Sequence, residues 1–158
     1  MRYSSMFIVP VLLPVIAVAD PIFSVRPLDA GASVVIVQGQ RRSAVIRGLI
    51  QELERSNLIV HVQIDADMSL ALAGATNFVT SRGGYRYVRV RISARLSNRA
   101  RLVTLGHELQ HAVEIARSDA ADHDAVRRLL DRSGYTLGGR FYETDAARTV
   151  EQRIRMER

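Results

Sequence analysis

The stretch Leu105 to Ala116 (LGHELQHAVEIA) constrains this chain more than any other. Leu102, Val103, Leu105, Leu109, Ala112, Val113 and Ala116 spread apolar surface around a helix, so the helix has to be buried. The same turns carry His107, Glu108 and His111, and buried polar groups need partners. His107 and His111 are one α-turn apart and project from one face. Two imidazoles so placed can hold one Zn²⁺ from the same side, the H-E-x-x-H arrangement. Glu108 is displaced around the helix. There it can reach a water on that metal rather than compete for the metal, as a general base should.

The rest of the chain must bury this helix without covalent help. Its 158 residues suffice for one domain, and cysteine is absent. That excludes a disulfide scaffold, a thiolate metal site and a Cys nucleophile, so any metal falls to histidines and carboxylates. The N-terminus reads as a leader. Arg2 precedes an uncharged apolar run from Met6 to Ala19, which ends in the A-x-A pattern Ala17-Val18-Ala19. Pro10 and Pro14 interrupt the run. It also falls short of a membrane span, which needs about 20 residues. Residues 1–19 are therefore expected to be a signal peptide and residues 20–158 a single domain. The protein would be secreted or periplasmic, with no membrane span after cleavage.

Patterning places the elements. Ser33 to Gln38 (SVVIVQ) is rich in β-branched residues and predicts a strand. Ser43 to Ser56 has helical spacing, with Ser43 as N-cap. Leu58 to Asp65 alternates as a half-buried strand. Thr76 to Ala94 predicts a hairpin turning at Gly83-Gly84. Helices follow over about 98–117, 120–133 and from Glu143 to the C-terminus. Strands early and helices late give an α+β class, with a small twisted sheet, the histidine-bearing helix and supporting C-terminal helices.

LGHELQHAVEIA resembles the active-site helix of the zincin metallopeptidases. The resemblance implies His107 and His111 as zinc ligands, Glu108 as the base, and hydrolysis of a peptide or protein substrate. It also implies an edge strand beside that helix that pairs with extended substrate, for which Tyr85 to Ser93 is the candidate. The metzincin subclass is excluded, because its third histidine and its glycine fall on Arg117 and Glu114. Glu114 lies about 10 Å along the axis from His107, too far to share the metal, and could instead accept from a ligand imidazole. The gluzincin branch takes its third ligand from a Glu on a later helix, which implies Glu143, at the start of the last helix. The acidic residue usual four positions later is Ala147 here, and Asp145 is a possible substitute. His123 is the rival third ligand, although Asp122 and Asp124 beside it fit an ordinary helix N-terminus. His61, on the polar side of its strand, is expected to be a solvated histidine.

All 22 basic residues are arginine, and the formal charge is +6. The arginines clustered between Arg82 and Arg101, interleaved with Tyr85 and Tyr87, could suggest single-stranded nucleic acid. The leader argues against that partner, and a solvated sheet face is the plainer account. Two functions stand against each other: a secreted zinc metallopeptidase, and a secreted metal-binding or interaction module with an inactive zincin-like fold.

Overall fold

The computed structural model describes residues 23–137 and 141–157. The leader expected over 1–19 lies outside them. The elements are β1 (Val25–Pro27), α1 (Ala30–Arg42), α2 (Ala44–Glu54), β2 (Leu58–Asp65), β3 (Gly74–Arg82), β4 (Tyr85–Ser93), α3 (Asn98–Ala116), α4 (His123–Ser133), β5 (Gly134–Leu137), β6 (Phe141–Thr144) and α5 (Asp145–Met156). The class is α+β, as expected. No helix among the described residues is long and apolar enough to cross a membrane.

The strand expected at Ser33–Gln38 is instead the middle of α1. Asp29 starts that helix as its N-cap. One carboxylate oxygen accepts from Ala32 N at 2.8 Å. The other accepts from Ile64 N at 2.8 Å. Ala32, Val35, Ile36 and Gly39 are buried at helical spacing, while Val34 and Val37 are exposed. Burial of that stripe outweighs the β-branched preference. Helices thus also separate β1 from β2, and the early half is not a run of strands. Ser43 caps α2 as predicted, accepting from Ile46 N at 3.1 Å.

The sheet has the order β1-β2-β4-β3, with β1, β2 and β4 parallel and β3 antiparallel. The hairpin turns at Gly83 (φ 60°) and Gly84 (φ 79°). L side chains rarely adopt such angles. Tyr85 to Ser93 is not the edge. It is held between β2 and β3, and the edge strand on that side is Gly74–Arg82, β1 being the other edge. Val60 and Val62 of β2 and Val88, Val90 and Ile92 of β4 face one core with α2 and α3. In that core α3 packs against α1, α2 and α5. Gly106 permits the approach of α5, since a Cβ there would stand 2.0 Å from Cδ1 of Ile154.

Several clustered arginines turn inward to main chain. The buried Arg86 guanidinium donates to the carbonyls of Ile115 (2.9 Å), Ser118 (2.7 Å) and Ala116 (3.0 Å), and to Asn57 Oδ1 (2.8 Å). It ties the C-terminal end of α3, where carbonyls lack helical partners, to the hairpin. Arg99 does the same for the end of α5, through Ile154 O and Glu157 O. Arg95 and Arg101 donate to the carbonyls of Met68 and Ala94. Much of the cluster is thus engaged with backbone, and Arg91 pairs with Asp65 at 3.3 Å.

Candidate metal centre

The buried helix α3 presents its polar residues toward β3 and α5. Nε2 of His107 and Nε2 of His111 are 3.2 Å apart, with ring planes at 77°. Oε1 of Glu143 lies 3.6 Å from Nε2 of His107. One donor atom from each of these three residues lies within 4.8 Å of the others. Tetrahedral zinc with bonds of about 2.0–2.1 Å sets its nitrogens roughly 3.3 Å apart, so the imidazole spacing fits.

Proton placement sharpens that fit. Nδ1 of His111 meets Glu114 Oε2 at 3.1 Å. Nδ1 of His107 faces Glu151 Oε2 at 3.3 Å, without the alignment of a full hydrogen bond. In the tautomer with both ring hydrogens on Nδ1, each of them faces a carboxylate. Both Nε2 atoms then lie beside Glu143 Oε1, a buried oxygen without a hydrogen-bond partner. With the Nε2 atoms unprotonated, three acceptors converge, an arrangement that a cation stabilises; in its absence a proton shared between the two Nε2 atoms can do so.

Glu143 does not begin a helix. It sits on β6, which pairs antiparallel with β5 so that Glu143 stands opposite Tyr135. Thr144 is the N-cap of α5, accepting from Ala147 N at 3.1 Å, so helical geometry starts only at Asp145. Asp145 is exposed, and Ala147 is buried. The carboxylate beside Nδ1 of His107 comes instead from Glu151, farther along α5.

Glu108 is 5% exposed, and its Oε2 accepts from Thr76 Oγ1 at 2.7 Å. Burial pushes its pKa up, against the opposing pull of His111, His107 and the Thr76 bond. Burial also disfavours charge on His111, but the hydrogen bond to Glu114 and the fields of Glu108, Glu114 and Glu143 raise its pKa on balance. Edge strand β3, α3, α4 and α5 enclose a cleft of about 430 Å³ that these groups line. Its apolar wall includes Phe78, Val103, Val126 and Leu130.

His123 lines the same cleft, but its ring stands edge-on to Phe78 at 5.3 Å and is outside the converging group. His61 stacks on Tyr87 across the sheet at 6.2 Å, away from the cleft. Thr76, Thr144 and Glu151 escape a reading of the sequence. Only Thr144 leaves a local signal there, a capping residue directly before an acidic helix start. No protein-family model, curated protein or solved structure matches this chain.

Proposed function

We propose that this protein is an exported zinc metallopeptidase with a zincin-like site, in which His107, His111 and Glu143 hold the metal and Glu108 is the catalytic base. The supporting observation is the convergence of two imidazole Nε2 atoms and a carboxylate oxygen without a hydrogen-bond partner, beside Glu108. When bound, the metal supplies a Lewis acid that polarises the scissile carbonyl and acidifies water. Glu108 takes a proton from the attacking water and delivers it to the leaving amine. Thr76 fixes the carboxylate from the side of the edge strand. The free edge of β3 borders the cleft. It offers unpaired main-chain groups along which an extended peptide can lie.

The test is zinc content and peptide hydrolysis of the purified chain beside its Glu108→Gln and His107→Ala variants. The reading expects one zinc per chain, lost in His107→Ala, and turnover abolished in Glu108→Gln with zinc retained. Folded protein without zinc overturns it. Zinc without cleavage of a broad peptide library turns the reading to a metal-binding module.

A further inference from the structure

Glu143 stands on a strand that has little of its own to hold it. β6 has four residues and β5 is its partner. A lone two-stranded ribbon is marginal in water, whereas a functional group has to be held to about 0.5 Å. The neighbouring residue supplies the hold. Thr144 is 2% exposed, and its Oγ1 donates to Oε1 of Glu114 at 2.7 Å. The same oxygen accepts from Ala147 N at 3.1 Å and so closes the first turn of α5. The other oxygen of Glu114 takes Nδ1 of His111. One carboxylate on α3 therefore grips a ring on its own helix and the joint between β6 and α5. Burial disfavours charge on Glu114, but the His111 and Thr144 bonds bring its carboxyl below the usual range.

We infer that Glu114 is a positioning residue shared by two metal ligands, fixing the ring of His111 directly and the carboxylate of Glu143 through the Thr144 hydroxyl. The inference rests on the metal reading above and deepens it. Thr144 has two jobs, to cap α5 and to donate to Glu114, and substitutions separate them. Thr144→Asp keeps a good cap but cannot donate to Glu114. Thr144→Ser keeps both functions, and Thr144→Val removes both while preserving shape.

The experiment is Zn²⁺ affinity of the full chain by chelator competition, with circular dichroism of each variant. Glu114→Gln, Thr144→Val and Thr144→Asp are expected to weaken zinc binding by about 10–100-fold, the range for outer partners of metal ligands. Thr144→Ser is expected within a few-fold of wild type. The Glu114→Gln/Thr144→Val double variant should be weaker than either single but fall short of the product of the two losses, because both changes act on the shared Thr144–Glu114 bond. Should Thr144→Val fail to fold, Thr144→Asp and Thr144→Ser still decide the matter. Wild-type affinity in Thr144→Asp, or a double variant showing the product of the single losses, overturns the inference while the metal site stands. A wild-type chain that binds no zinc overturns the metal reading and this inference together.

Discussion

Nδ1 of His107 lies 3.3 Å from Oε2 of Glu151, and Oε1 of the same carboxylate takes Nη2 of Arg155 at 2.7 Å. The imidazole is thereby steered from α5, which packs against the helix that carries it. Glu151→Gln keeps the size of the group and an acceptor oxygen but removes its charge. Zinc affinity is expected to fall by about 10-fold, the lower end for such partners, with the fold intact. Arg155→Ala leaves the acceptor in place and should change affinity less. Chelator competition on the three proteins checks both statements, and equal affinities throughout would remove Glu151 from the site.

Burial raises the pKa of Glu108, so the folded protein without metal binds a proton there more tightly than the unfolded chain does. Stability then falls as pH rises from the ordinary carboxyl value of 4.5 through the raised one. Glu108→Gln carries no such term. In chelator-treated protein its melting temperature relative to wild type should increase between acid and mildly alkaline pH. A difference that is flat or runs the other way, read by calorimetry at several pH values, counts against a carboxyl held in its neutral form by burial.

What the sequence made legible follows from which forces are local. The helical spacing of His107 and His111 depends on one helix alone, and the Ser43 cap and the Gly83-Gly84 turn are equally local. Each is found as predicted. The exchange of edge strand could not be read locally. Tyr85 to Ser93 became interior because β2 pairs with β4 rather than with β3, a choice made between elements distant in the chain. The β-branched run at Ser33–Gln38 misled because its burial on α1 is tertiary. Glu143 is expected at a helix start yet stands on a strand, since Thr144 rather than Glu143 caps α5. Glu151 carries no signal of its own, because its separation from Glu143 crosses a strand–helix joint and so has no fixed periodicity.

Arg86 belongs to the fold rather than to any anionic partner. Its guanidinium satisfies carbonyls at the end of α3 that water cannot reach well, and burial lowers its pKa. Arg86→Met is expected to lose about 2–4 kcal/mol, because each buried carbonyl left bare costs about 1–3 kcal/mol and some will find water. Arg86→Lys should recover only part of this, since one ammonium cannot span the same fork. Urea unfolding of both variants measures it, and a loss below about 0.5 kcal/mol, the surface range, would show the network to be dispensable.

Gly134 stands where α4 ends and β5 begins. A Cβ at this position would stand 2.2 Å from the carbonyl oxygen of Glu143 and 3.0 Å from its carbonyl carbon. These are backbone atoms and cannot swing aside, so Gly134→Ala has to separate β5 from β6 at the residue that carries the proposed ligand. Two effects oppose one another. Alanine restricts the unfolded chain, which would stabilise by about 0.4–1 kcal/mol were the site open. Overpacking destabilises by about 1–3 kcal/mol, and a contact this short against main chain belongs at the upper end. Net destabilisation of about 1–2 kcal/mol is expected in chelator-treated protein. Zinc affinity should fall as well, because the displaced atoms are those of Glu143 itself. Thermal melts with and without added Zn²⁺ separate the two effects, the metal-induced rise in melting temperature being smaller in the variant than in wild type. A stabilised variant with an unchanged zinc response would mean that Glu143 is not held against Gly134.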